Sequence, residues 1–420
     1  MALKLVNFFV RICLLILVGL ILTPALVAAP KWADFDSAAH DYWNRPLNDD
    51  FSRLKDRLEA GELPLDYRSE KGFLNSLLKA LDIPASSQTM LYSTTSLQLR
   101  LISVRNPRTI YFNEDLYVGF VPRGRIEVVA LNPELGGVYY IFDIPQGQRK
   151  VTVERSTRCM NCHAGENSGY VPGLLVRSVI PGPNGGSLDA FRGGEYGHDI
   201  PLSERFGGWH VTGADGFQNH HGNQTGRFVD GEIETYPLRA GSKFTWAKYP
   251  VRTSDILTHL VFEHQVGFVN KVLEATYRTR AYLHEDQGKL TDEHASILDD
   301  QAKKLVRYIL FADEAELPKG GFAGDAAFKQ DFRKKARRSQ KGASLREFDL
   351  QTRMFKYRCS YMIHSAVFSG LPAEMKARVM AGIRKALDGQ DKEFNYLPAA
   401  ERQTIRAILS ETFPPYSREG

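Results

Sequence analysis

Cysteine is scarce in this chain, with four residues in 420, at positions 13, 159, 162 and 359. So few thiols exclude the disulfide-dense scaffolds of small secreted domains. Excess charge is scarce too: a net charge of +5 is too small to argue for a nucleic-acid partner. No internal repeat, nucleotide-binding fingerprint or nucleophile–base pairing by spacing is found. Beyond the N-terminus no apolar run is long enough to cross a bilayer. Yet half of the scarce cysteine falls in one place. Residues 158 to 168 read "RCMNCHAGENS", a C-x-x-C pair followed directly by a histidine.

The compartment decides how that stretch is read. "MALKLVNFFVRICLLILVGLILTPALVAAPKW" carries Lys4 and Arg11, an apolar run from Ile12 to Leu22, and small residues after it. This is the layout of a bacterial secretory signal. Val27 and Ala29 fit the small-x-small cleavage rule, although Pro30 after the cut hinders the peptidase. The same run could be retained as a membrane anchor, since a span needs about 20 apolar residues. The short core and Pro24 favour cleavage. Both readings export the rest of the chain, to the periplasm in a Gram-negative cell.

Three chemistries compete for the C-x-x-C-H stretch. A thioredoxin-like dithiol sits between a strand and a helix in a βαβ pattern, and no such pattern surrounds Cys159. A zinc site needs about four ligands, usually with a second C-x-x-C or H-x-x-x-H module, and none is present. Attachment of a c-type haem needs only what is here. Two thiols add to the porphyrin vinyl groups, and one helical turn matches their spacing. The adjacent histidine then faces the iron. One covalent haem c on Cys159 and Cys162, with His163 as proximal ligand, is therefore expected; an isolated disulfide is the plain alternative.

A one-haem carrier needs only about a hundred residues, so a chain of 420 has room for further structure. The pattern predicts an α+β fold in four parts: signal or anchor (1–29), helices plus an antiparallel β region (30–153), a glycine-rich haem-bearing region (154–250), and a mainly helical domain (251–420). "DDFSRLKDRLEAG" puts Phe51, Leu54 and Leu58 on one helical face and stops at Gly61, and "EKGFLNSLLKALDIP" repeats the idea. "RTIYFNEDLYVGFVPRGRIEVVALNPELGGVYYIFDIP" alternates β-rich runs with turn residues, which predicts an antiparallel meander. Helical periodicity returns over Asp255–Tyr282, Asp292–Phe311 and two segments after Pro372. The basic run "FRKKARRSQK" reads as a solvated face, or as a docking patch for an acidic redox partner. Cys359, left without a partner, reads as a buried free thiol.

Taken together, "SVRNPRTIYFNEDLYVGFV", "ALNPELGGVYYIFD", "CMNCHAG", "VPGLLVRSVIP", "PLSERFGGWHVTG", "HHGN", "VFEHQ" and "FKYRCSYMIHSAVFSGLP" resemble a poorly characterised family of exported bacterial cytochrome c proteins. The resemblance runs from about Ser86 to Pro372 and implies haem c and export, but no reaction. The family often has a histidine where this chain has Asp215, ahead of a His-x-Gly-Asn at 220 to 223. With that departure the resemblance carries no ligand role onto Asp215, and it leaves His220 and the Glu263-His264 pair in place.

The sixth iron position decides the chemistry: a histidine or methionine there suits electron transfer, and an open position admits peroxide, oxygen or a gas. His220, in the flexible loop "FQNHHGNQTG", is the first distal candidate, with His221 beside it as an alternative. His264, on the apolar stripe of a helix, is the second, and a core histidine is its bland reading. His259 lies well round that helix from His264. Strand alternation sends Trp209 and His210 to opposite faces. Met354 and Met362 read as core filler, and Met160 cannot reach round the porphyrin. Arg177, Arg192 and Arg205 are candidates to pair with propionates. The leading functional expectation is a periplasmic electron-transfer protein with an unidentified redox partner. A haem-dependent oxidoreductase or peroxidase-like enzyme is the alternative, as is a redox or gas sensor.

Overall fold

The computed structural model describes residues 29–145, 150–191, 196–217 and 219–417. The signal or anchor segment, Cys13 and Arg192 lie outside the described residues. Among the described residues no helix is long and apolar enough to cross a membrane.

The first helices form where the apolar spacing put them. Helix α1 (Asp50–Glu59) opens on a capping box between Asp49 and Ser52, and buries Phe51 and Leu58. Gly61 follows in a left-handed conformation that glycine tolerates freely. Helix α2 (Glu70–Ala80) is capped by Ser69 and buries Phe73, Leu74, Leu77 and Leu78. Strand β1 (Thr89–Leu91) is followed by the expected meander: β2 (Arg108–Phe112), β3 (Leu116–Phe120), β4 (Ile126–Asn132) and β5 (Gly136–Phe142), each antiparallel to the last. The order of the seven-stranded sheet is β6-β5-β4-β3-β2-β1-β9, where β6 is Glu154–Arg155 and β9 is Trp209–His210. Two small hairpins stand apart: β7 (Val179–Pro181) with β8 (Ser187–Ala190), and β10 (Gln224–Val229) with β11 (Glu232–Pro237).

Both faces of the sheet are covered. On one face Met90, Val118, Phe120, Val128, Val138 and Phe142 pack with α1 and α2. The other face receives the C-terminal helices. Between the two lies α3 (Met160–His163), the short turn that carries the C-x-x-C-H stretch. Helix α4 (Ile256–Glu285) is capped by Asp255 and buries residues along most of its length. After it come α5 (Asp292–Ile309), α6 (Ala326–Lys334), α7 (Ala366–Ser369), α8 (Ala373–Leu387) and α9 (Ala399–Thr412). The α+β class and the helices at both ends match expectation.

The cross-strand register explains how α4 lies on the sheet. Phe112 opposes Tyr117, Tyr117 opposes Val129, and Val129 opposes Tyr139, so these four form one row across β2, β3, β4 and β5. Along α4, Phe262 meets Phe112, Gln265 accepts the Tyr117 hydroxyl at 2.8 Å, and Leu273 approaches Gly136. The helix therefore crosses the strands, from β9 towards β5. Strands β6 and β9, both from 154–250, belong to the same sheet as the 88–153 strands, and α4 starts on a bridge between Thr212 and Asp255. Strands of two residues are too short to show alternation, so their pairing left no mark in the sequence.

Gly370, at the end of α7, ties the C-terminal helices to the β4–β5 turn. A Cβ on Gly370 would fall inside the van der Waals radius of the Pro133 carbonyl oxygen, which is backbone and cannot rotate away. Gly370→Ala should cost about 3 kcal/mol through overpacking, read as a lower denaturant midpoint in equilibrium unfolding.

Candidate functional site

The C-x-x-C-H stretch folds as a single turn of helix. Cys159 stands at its N-terminus in helical conformation, and the His163 amide donates to the Cys159 carbonyl at 2.9 Å. Positions i, i+3 and i+4 share a helix face, so Cys159, Cys162 and His163 are brought together on one side. Both cysteines are free; Cys162 is exposed and Cys159 half-buried. Burial pushes the Cys159 thiol up.

His163 is held by one residue through two bonds. Its Nδ1 lies 2.9 Å from the Gly173 carbonyl oxygen, and its own carbonyl accepts from the Gly173 amide at 2.9 Å. A carbonyl only accepts, so Nδ1 carries the proton and Nε2 is left with its lone pair. Nε2 has no hydrogen-bond partner among the described residues. Burial lowers this imidazole to about 4, which keeps it neutral at neutral pH. Neutral imidazole with one nitrogen tied to a carbonyl is the form that binds metals.

The groups behind His163 come from β5 and α4. Tyr139 donates its hydroxyl to the same Gly173 carbonyl at 2.8 Å, and its ring sits 4.7 Å from the imidazole. Asn270, on α4, accepts from the Leu174 amide at 2.8 Å and donates to the Leu174 carbonyl at 2.9 Å. Gly173 has to be glycine: a Cβ there would collide with the Asn270 amide. Sequence reasoning missed Tyr139, Gly173 and Asn270. The signal for Asn270 was present, as a buried polar residue directly after the apolar run "VGFV" of a buried helix.

The distal candidates lie elsewhere. The loop of His220 is pinned to β9: the Asn223 side chain bonds both the amide and the carbonyl of Val211, and the Asn223 amide donates to Trp209. His163 sits beside β5, five places away from β9 in the order of the sheet. Two ligands on one metal place their nitrogens only about 4 Å apart, twice a metal–imidazole bond. His220 is held with the β9 edge through its loop, and neighbouring His221 stacks on Phe191. His264 is also engaged elsewhere. Its Nδ1 meets His198 Nδ1 at 2.8 Å, and its Nε2 meets the Ser360 hydroxyl at 2.8 Å, in a fully buried network. Both ring nitrogens are used, so the core-histidine reading fits. Sequence position could not reveal this, because His198 and Ser360 approach only in the folded chain.

The remaining candidates separate in the same way. Trp209 packs on Phe262 of α4 while His210 packs against Phe244, on opposite faces as alternation required. Met354, Met362 and Cys359 are buried in the core. Arg177 is exposed. Arg205 is fully buried beside Glu263 at 3.4 Å and donates to the carbonyls of His198 and Ile200, which makes it a structural group.

No group of three or more His, Cys, Asp or Glu side chains among the described residues is arranged to hold a metal ion. A zinc site on Cys159, Cys162 and His163 would need such a set. No protein-family model, curated protein or solved structure matches the chain. What defines the site is its geometry: two free thiols and one neutral imidazole nitrogen on one side of one helical turn.

Burial holds His264 down to about 3, against an ordinary value of 6.5. Below pH 6.5 the unfolded chain binds a proton there that the folded chain refuses, so this histidine's contribution to stability is lost as pH falls from 6.5 towards 3. His264→Gln removes that proton. Its stability deficit relative to the parent should therefore shrink by about 1.4 kcal/mol per pH unit between pH 6 and 4. Urea unfolding of both proteins across that range checks the slope.

Proposed function

We propose that this chain is an exported c-type haem protein, carrying one haem bound covalently through Cys159 and Cys162, with His163 as axial ligand and electron transfer as its role. The observation that carries the reading is the tautomer of His163: the Gly173 carbonyl holds the proton on Nδ1, and Nε2 is free, neutral and beside two free thiols. A haem bound there supplies an iron that changes oxidation state by one electron.

The residues fit such a group. Cys159 and Cys162 stand one helical turn apart, which suits two thioether bonds to one macrocycle. Cys162 is exposed and Cys159 half-buried, so both thiols would be available to hold such a group at the protein surface. Tyr139, Gly173 and Asn270 fix the imidazole so that it need not reorganise when the iron changes charge. The partner is a redox protein met outside the cytoplasm, with the basic segment 332–341 as one surface that charge would steer towards an acidic face. Membrane attachment follows only if the N-terminal segment is retained.

A second reading has its own observation. The loop of His220 is tied to β9, and both ring nitrogens of His264 are engaged by His198 and Ser360. An iron without a strong sixth ligand would bind a gas or peroxide, which suits a sensor or a peroxidase-like enzyme. Carbon monoxide added to the ferrous protein separates the two: an unchanged spectrum supports electron transfer, and a rapid shift supports the second reading.

Haem in the exported protein should stay with the chain after denaturation in acid acetone, and the doubly substituted Cys159→Ser, Cys162→Ser protein should lose all of it to the wash. Extraction of haem from the unsubstituted chain would contradict covalent attachment.

A further inference from the structure

We propose that Tyr139 and Asn270 are positioning residues that set, in opposite directions, how strongly His163 donates to the iron and hence the reduction potential of the site; this rests on the haem reading above. The three side chains converge on one peptide unit. Its carbonyl is Gly173 O, which takes the His163 Nδ1 proton at 2.9 Å and the Tyr139 hydroxyl at 2.8 Å. Its amide is Leu174 N–H, which donates to Asn270 Oδ1 at 2.8 Å. The Asn270 amide group then returns a bond to the Leu174 carbonyl at 2.9 Å, so its orientation is fixed from both ends.

The two partners polarise that peptide in opposite senses. An acceptor on the N–H side favours the resonance form with negative charge on the carbonyl oxygen. Asn270 thus makes Gly173 O a better acceptor for the His163 proton. Tyr139 draws on the same oxygen from its other lone pair, and so weakens the bond to His163. A stronger bond at Nδ1 gives the imidazole more anionic character and raises its basicity as a ligand. That favours ferric over ferrous iron and lowers the potential. Asn270 therefore lowers the potential and Tyr139 raises it. The arrangement is enclosed: Tyr139 is buried in β5, Asn270 in α4, and Gly173 leaves no room for a side chain between them.

The test is the midpoint potential of the full-length haem-loaded protein and two variants, Tyr139→Phe and Asn270→Leu. Tyr139→Phe removes one oxygen atom and should shift the midpoint to more negative values. Asn270→Leu keeps the volume, removes the acceptor from the Leu174 amide, and should shift it to more positive values. A merely structural role would not give shifts of opposite sign. An unmoved or positive midpoint in Tyr139→Phe overturns the inference, even if Asn270→Leu fails to fold. In that case haem that resists acid acetone in both proteins leaves the haem reading intact. A parent chain with no covalently held haem removes the haem reading, and this inference with it.

Discussion

One carbonyl oxygen organises the site. Gly173 O holds the proton of His163 on Nδ1, so the imidazole presents an unprotonated Nε2 from a fixed ring orientation. Without that bond either nitrogen of the imidazole could carry the proton. Much of the surrounding structure serves to keep that carbonyl in place. The Pro172 carbonyl accepts the Gly137 amide at 2.7 Å, which docks the 171–174 segment on β5, and Asn270 clamps the next residue from the helix side.

The clamp in turn depends on how α4 lies on the sheet. Because the helix crosses the strands, residues spaced along it reach successive strands, and Asn270 arrives at the segment beside β5. The other end of the same helix carries the His259 and Ser254 contacts near β9. Its middle carries Glu263 and His264, buried with Arg205, His198 and Ser360. A buried charge pair is costly unless its partners are all in place, and this one, with the adjoining His264 network, joins segment 198–205, α4 and Ser360. The C-x-x-C-H turn therefore sits on a rigid support although the turn itself is short and partly exposed.

Much of this was legible in the sequence wherever the information was local. Amphipathic spacing located α1, α2, α4 and α5 to within a few residues and gave two helices after Pro372, and the turn residues Asn113, Pro122 and Pro133 marked the meander. The motif at 159–163 was legible because its chemistry needs only neighbouring residues. What the sequence concealed was non-local. His220 and His264 were plausible ligands by loop flexibility and by helix face, but the loop is tied to β9 and the helix face is turned to His198 and Ser360. Tyr139 looked like one more aromatic in a strand. Its role arises only because the 171–174 segment lies on β5.

The central claim is that His163 binds iron through Nε2 with its Nδ1 proton held by Gly173. The most direct measurement is the ¹H–¹⁵N spectrum of the ring nitrogens in protein labelled at histidine, recorded in the ferrous and ferric states. The account predicts one ring N–H, absent in His163→Ala and slow to exchange with solvent, whose resonance moves strongly with the oxidation state. Ring signals unchanged between the two states, or a redox-sensitive N–H that persists in His163→Ala, would contradict it.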